Sequence, residues 1–164
     1  MHNINIKYNN KTKMTILVGG LFFLFFNAII IPEWFIIFLP FSDLSDFFAN
    51  NIIYRIISAI VILYFLLIGT FYYSVNIDAY VIKITSYRVV MDFLKKKDFV
   101  DIPHNMLRDY SFFDRPISLN KTLMLKIETQ SGKKVAKRFN ITLMSENEIE
   151  RISKVFDRII VKNN

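Results

Sequence analysis

Two apolar runs, Met14 to Leu39 and Ile52 to Tyr73, constrain this chain more than any other feature, because each is long enough to cross a bilayer. From Met14 to Ile31 twelve residues are Leu, Ile, Val or Phe, and only Thr15 and Asn27 are clearly polar. At about 0.3 to 0.6 kcal/mol favourable for each such residue, insertion outweighs the cost of one central Asn. The apolar stretch continues past Pro32 to Leu39, well beyond the core of a cleaved signal peptide, and no small-x-small cleavage site follows it. As one helix, Met14 to Leu39 measures about 39 Å against a hydrocarbon core of about 30 Å, so tilt or a kink at Pro32 is expected. The second run carries one charge, Arg55, one turn from its start, where its side chain can snorkel to the interface. Trp34, Tyr54 and Phe71-Tyr72-Tyr73 fall where interfacial aromatic belts belong. Glu33 and Arg55 either pair across the two helices or snorkel separately, and Gly19-Gly20 with Ser58-Ala59 supply small residues for helix contact.

The flanks set the expected orientation. Residues 1–13 hold three lysines and no acid, the connection 40–51 holds Asp43 and Asp46 and no base, and the part after Asn76 carries about +6. The positive-inside rule then puts both termini in the cytoplasm and the connection outside. The N-x-T sequons at Asn10, Asn120 and Asn140 are chance on that reading. Ile, Asn and Lys are abundant while Ala and Gly are scarce, the bias of an AT-rich genome, so the expected location is a bacterial cytoplasmic (inner) membrane. The chain has no cysteine, which removes disulfides, thiolate metal sites and cysteine nucleophiles.

Residues 76–164 read as strands followed by one helix. Tyr80 to Thr85, Tyr87 to Phe93 and Phe99 to Ile102 are rich in β-branched and aromatic residues, and Pro103 ends the third. Leu123 to Thr129 alternates apolar and polar residues, and Ser131-Gly132 turns the chain into Lys134 to Ile141. Ser145 and Glu148 form a capping box, and Ile149, Ile152, Val155, Phe156 and Ile159 make one apolar stripe at helical spacing. The expected fold is a membrane α + β protein. It has a two-helix transmembrane hairpin (14–39, 52–73) between a tail (1–13) with an external loop (40–51) and an antiparallel sheet domain (76–164) closed by an amphipathic helix.

This order of segments, with "ITSYRVV", a basic tip, "FVDIPHNM" and "LMLKIETQSGKK" before the closing helix, resembles the bacterial pleckstrin-homology-like (PH-like) membrane proteins with two N-terminal transmembrane helices. The resemblance implies a curved antiparallel sheet closed at one end by the C-terminal helix. The family's usual aromatic residue before the middle strand is replaced here by Phe99-Val100-Asp101.

No motif for phosphate-loop, dinucleotide, zinc-protease or serine-hydrolase chemistry occurs, so no enzyme, cofactor or metal is expected. His104 follows Pro103 in an expected loop, with Asp101 nearby in sequence, and a general base needs an oriented partner. The basic clusters are the better candidates. Lys95, Lys96 and Lys97 on a hairpin tip, and Lys133, Lys134, Lys137 and Arg138 beside a second turn, suit anionic lipid headgroups or a protein partner. Such lysines equally serve solubility and edge protection. They do not interleave with aromatics, which argues against nucleic acid. Phe112-Phe113 is either core or an exposed tip. The expected role is a membrane-anchored binding platform or regulatory subunit at the inner leaflet, contacting anionic lipid, a protein partner or a second copy. An immunity protein against a membrane-active peptide and an accessory subunit of a transporter or envelope machine are the alternatives.

Overall fold

The computed structural model describes residues 5–40, 42–90 and 97–163. The chain divides into two compact units. One joins Met1–Lys11 to Thr70–Asn164, and the other is Thr12–Gly69. The fold class is α + β, with N-terminal apolar helices, two antiparallel sheets and a C-terminal helix.

The first helix, α1 (Lys11–Phe25), starts at the last residue of the sheet unit's first segment and passes through a π-helical turn at Phe26–Ile30 into α2 (Ile31–Phe38). Pro32 has no N–H to give the preceding turn, and the wider π turn just before it absorbs that loss. Asn27 satisfies its amide locally by donating to the Phe23 carbonyl at 2.8 Å. The connection expected as a loop contains α3 (Asp43–Asn50), capped by the Ser42 hydroxyl, which accepts from the Ser45 N–H at 3.2 Å. Then α4 (Ile52–Ile68) follows. Among the described residues, Lys11–Phe38 is one helical stretch of 28 residues, with a window of 18 residues of mean hydropathy 2.4, long and apolar enough to cross a membrane. The pair α3 and α4, bent by 59° at the break between them, qualifies as a second only if taken together. Glu33 and Arg55 form an ion pair, so the two do not snorkel separately. Ala28 and Ser58 are buried where the π turn meets α4. The faces of Gly19 and Gly20 meet no other atoms among the described residues.

The helix ends earlier than its composition suggested. Gly69 takes a positive φ of 79°, its N–H bonds the Phe65 carbonyl, and the chain leaves the helix there. Phe71, Tyr72 and Tyr73, expected as an aromatic belt, instead open β2 (Phe71–Ile77), and Tyr73 is fully buried in the sheet unit. The sheet domain therefore starts before Asn76.

The sheet unit has a four-stranded sheet in the order β1 (Ile6–Asn9), β2, β3 (Val81–Arg88), β4 (Asp98–Pro103). Its other sheet is three-stranded: β5 (Leu107–Asp114), β6 (Asn120–Glu128), β7 (Lys134–Thr142). β3 runs through Ser86 and takes in Tyr87 and Arg88 of the second expected run, pairing β2 continuously from Ile82 to Arg88, while Met91 to Phe93 of that run lie outside the described residues. The first strand was hidden in the expected tail, and it pairs antiparallel with β2, Asn9 opposite Ser74 and Ile6 opposite Ile77. The helical segment is thus inserted between two neighbouring strands of one sheet.

Alternate residues of both sheets point inward, as expected of antiparallel sheets with one buried face. Val75, Ile77, Ile84, Leu123, Leu125 and Phe139 are among the fully or almost fully buried residues. The closing helix α5 (Glu146–Asn163) covers this core with Ile152, Val155, Phe156 and Ile159, and Ile149 packs at its margin. Its capping box forms as the sequence predicts. The Ser145 N–H donates to Glu148 Oε2 at 2.7 Å, and the Glu148 N–H donates to Ser145 Oγ at 3.3 Å. Phe112 packs against the core while Phe113 points outward, so the pair divides between the two faces of β5.

Candidate functional site

The sheet unit has one corner where several chain segments meet. The chain leaves the sheet at Asn10 and returns at Thr70, and the buried Asn10 side chain holds these points together. Its Nδ2 donates to the carbonyls of Phe71 (2.9 Å) and Thr142 (2.8 Å), and its Oδ1 accepts from the Tyr73 N–H (2.9 Å). Thr142 Oγ1 accepts from the Phe71 N–H at 2.8 Å and donates to Asn120 Oδ1. The Asn10 amide and the Thr142 hydroxyl are thus engaged, the condition for tolerating them inside, whereas Thr70 Oγ1, buried at the same corner, has no hydrogen bond among the described residues. Asn10 and Asn120 are therefore sealed in the fold, and the Asn140 side-chain Oδ1 accepts from Arg115 at 2.8 Å. Neither Asn10 nor Asn120 presents its amide nitrogen to solvent as a glycan acceptor would.

The connection from β3 to β4 starts at this corner, where Arg88 lies opposite Phe71 and the Val89 N–H donates to the Thr70 carbonyl at 2.8 Å. Lys95 and Lys96 fall outside the described residues. Lys97 is described, with its ammonium 5.1 Å from the centre of the Tyr87 ring. The other cluster begins at the opposite end of β7. Lys134 lies eight residues along the strand from Thr142, about 26 Å at ordinary strand rise. Lys133 closes the turn there, exchanging hydrogen bonds with Thr129, and Gly132 supplies the positive φ of 77° that the turn requires. Lys137 reaches across to the Phe99 carbonyl of β4 at 2.9 Å, and Arg138 sits on the outer face beside Met124.

A third basic surface was not foreseen. Lys7 on β1 and Arg151, Lys154 and Arg158 on α5 line a shallow groove of about 500 Å³ together with Tyr8. Arg151 donates to the Tyr8 hydroxyl at 3.4 Å, and Lys154 pairs with Glu150 at 2.6 Å, which holds the Glu150 carboxyl below its ordinary range. The spacing Arg151, Lys154, Arg158 was the available signal, but its strand partner was concealed in the presumed tail.

His104 lies in a short 3-10 turn between β4 and β5 and gains no carboxylate partner among the described residues. Asp101 instead faces Lys83 at 3.4 Å, and His104 Nε2 is buried without a hydrogen bond among the described residues. Burial, the largest influence, holds the imidazole below its ordinary pKa, opposed by hydrogen bonding to the backbone at Asp78 and Val81. Burial likewise raises the Tyr73 phenol, with Glu148 beside it adding to the shift. No group of three or more His, Asp or Glu residues able to hold a metal occurs among the described residues. No known family, curated protein or solved structure matches this chain.

Proposed function

We propose that the chain is a membrane-anchored, PH-like binding platform at the inner leaflet. Its helical segment would cross the membrane as a hairpin, and its sheet unit would meet a protein partner while one corner rests near the lipid. The observation that carries this reading is the insertion of Thr12–Gly69 between paired strands β1 and β2. Lys11 and Thr70 belong to one folded unit, so both stand on the same side of any membrane the intervening segment crosses. The crossings then come in an even number, which favours counting the bent pair α3 and α4 as a returning span beside Lys11–Phe38. The lysines at 7, 11 and 13 and the acids at 43 and 46 support a cytoplasmic sheet unit. Two antiparallel sheets closed by an amphipathic helix fit the architecture that the family resemblance implies.

The partner surface is best supplied by the groove between β1 and α5, whose four cations suit an acidic protein segment. The full chain captured in mild detergent should carry a partner, or a second copy, in stoichiometric amount. Arg151→Gln combined with Arg158→Gln should release it, and so should raised salt, through screening. Recovery of the chain alone and monomeric, at low as at high salt, would contradict the platform reading.

A further inference from the structure

We propose that the tip of the β5–β6 hairpin, Ile117 with Leu119, dips into the apolar boundary of the bilayer beside the points where the chain leaves for its helices. The inference rests on the membrane-hairpin reading above. Ile117 is 88% exposed and Leu119 47% exposed, on a connection of five residues. Ile117 also stands at φ 58°, a left-handed conformation that a β-branched side chain adopts only under strain and that Asn or Gly takes readily. Folding alone therefore favours a different residue at this position. Solubility favours one too.

The position of the tip supplies the reason. Asn120, the first residue of β6, is bonded to Thr142, which is bonded in turn to Phe71 and to Asn10. The Leu143 N–H fixes the Leu119 carbonyl at 3.1 Å, so the tip is held at the same corner as both exits. Its flanking cations are already engaged within the fold. Arg115 donates to Asn140, and Lys121 is paired with Asp114 and Glu146. The tip thus offers apolar side chains rather than free charge, which suits shallow insertion independent of headgroup charge. Tyr80 provides the contrast. It is 79% exposed but lies in the β2–β3 turn, at the far end of β2 from Phe71.

The chain has no cysteine, so single nitroxide labels can be placed without a background. Labels at Ile117→Cys, Tyr80→Cys and, on α4, Leu63→Cys are compared in the full chain reconstituted into phosphatidylcholine bilayers. Collision with oxygen, which partitions into lipid, is measured against collision with a water-soluble nickel chelate. The Ile117 label should favour oxygen several-fold more than the Tyr80 label, and adding anionic lipid should not change the ratio. A second label at Leu119→Cys should lose its lipid signature when Ile117→Asn is introduced, although that substitution suits the backbone and preserves the fold. If the Leu63 label lies in lipid while the Ile117 label is as nickel-accessible as Tyr80, the tip proposal fails alone. If the Leu63 label is itself aqueous, the membrane reading fails and the tip proposal with it.

Discussion

Asn10 ties the strand before the helices to the strand after them, and nothing in its sequence context announced this. It stands in an N-x-T triplet within a basic stretch, where a solvated side chain is the ordinary expectation. Its role depends on the backbone of Phe71, Tyr73 and Thr142, residues up to 132 positions away. Replacing Asn10 by Ala leaves two carbonyls and one N–H unpaired in a buried place, at a cost of about 3 kcal/mol. Asn9→Ala, on an exposed neighbour, should cost well under half of that, because the Lys11 N–H that Asn9 accepts can turn to water. Thermal unfolding of the two full-length variants in detergent measures the difference. Equal midpoints would show that the Asn10 network does not hold the corner.

The elements divide sharply by how much of their stabilisation is local. The closing helix was legible because its capping box and its apolar stripe are both encoded within eighteen residues. The hairpin of β6 and β7 was legible because Ser131-Gly132 marks the turn between two alternating runs. The first strand was not, since four residues carry too little periodicity and their partner strand lies beyond the whole helical segment. The end of α4 was misplaced for a related reason. Aromatic residues suit an interfacial belt as well as a strand, and only Gly69 distinguishes the two. Of the candidate site residues, Lys95 and Lys96 lie outside the described residues, and the place of Lys133 and Lys134 at the end of β7 away from Thr142 depends on a strand register that the sequence does not spell out. A fragment beginning at Asn76 lacks β1 and most of β2, so it should fail to give a cooperative unfolding transition. Residues 1–11 joined to 70–164 through about four Gly and Ser residues restore the β1–β2 pair as an ordinary hairpin. That fusion should fold without detergent and unfold cooperatively. If the shorter fragment were as stable as the fusion, the first strand would have no part in the fold.

Across the whole molecule, the inserted helical segment turns a sheet topology into a statement about membrane topology. A tail is free to lie on either side of a bilayer, but a strand hydrogen-bonded to β2 is not. The most direct measurement is therefore labelling of single cysteines in intact bacterial cells by a membrane-impermeant thiol reagent. Ser45 is a poor position because it is buried and its hydroxyl bonds the Pro40 and Ser42 carbonyls, whereas Asn5, Asn50 and Ser131 are exposed. Asn50→Cys should react in intact cells, while Asn5→Cys and Ser131→Cys should react only after the membrane is opened. Reaction at both Asn5→Cys and Ser131→Cys but not at Asn50→Cys would reverse the orientation. Reaction at only one of Asn5→Cys and Ser131→Cys would mean an odd number of crossings and would contradict the account at its centre.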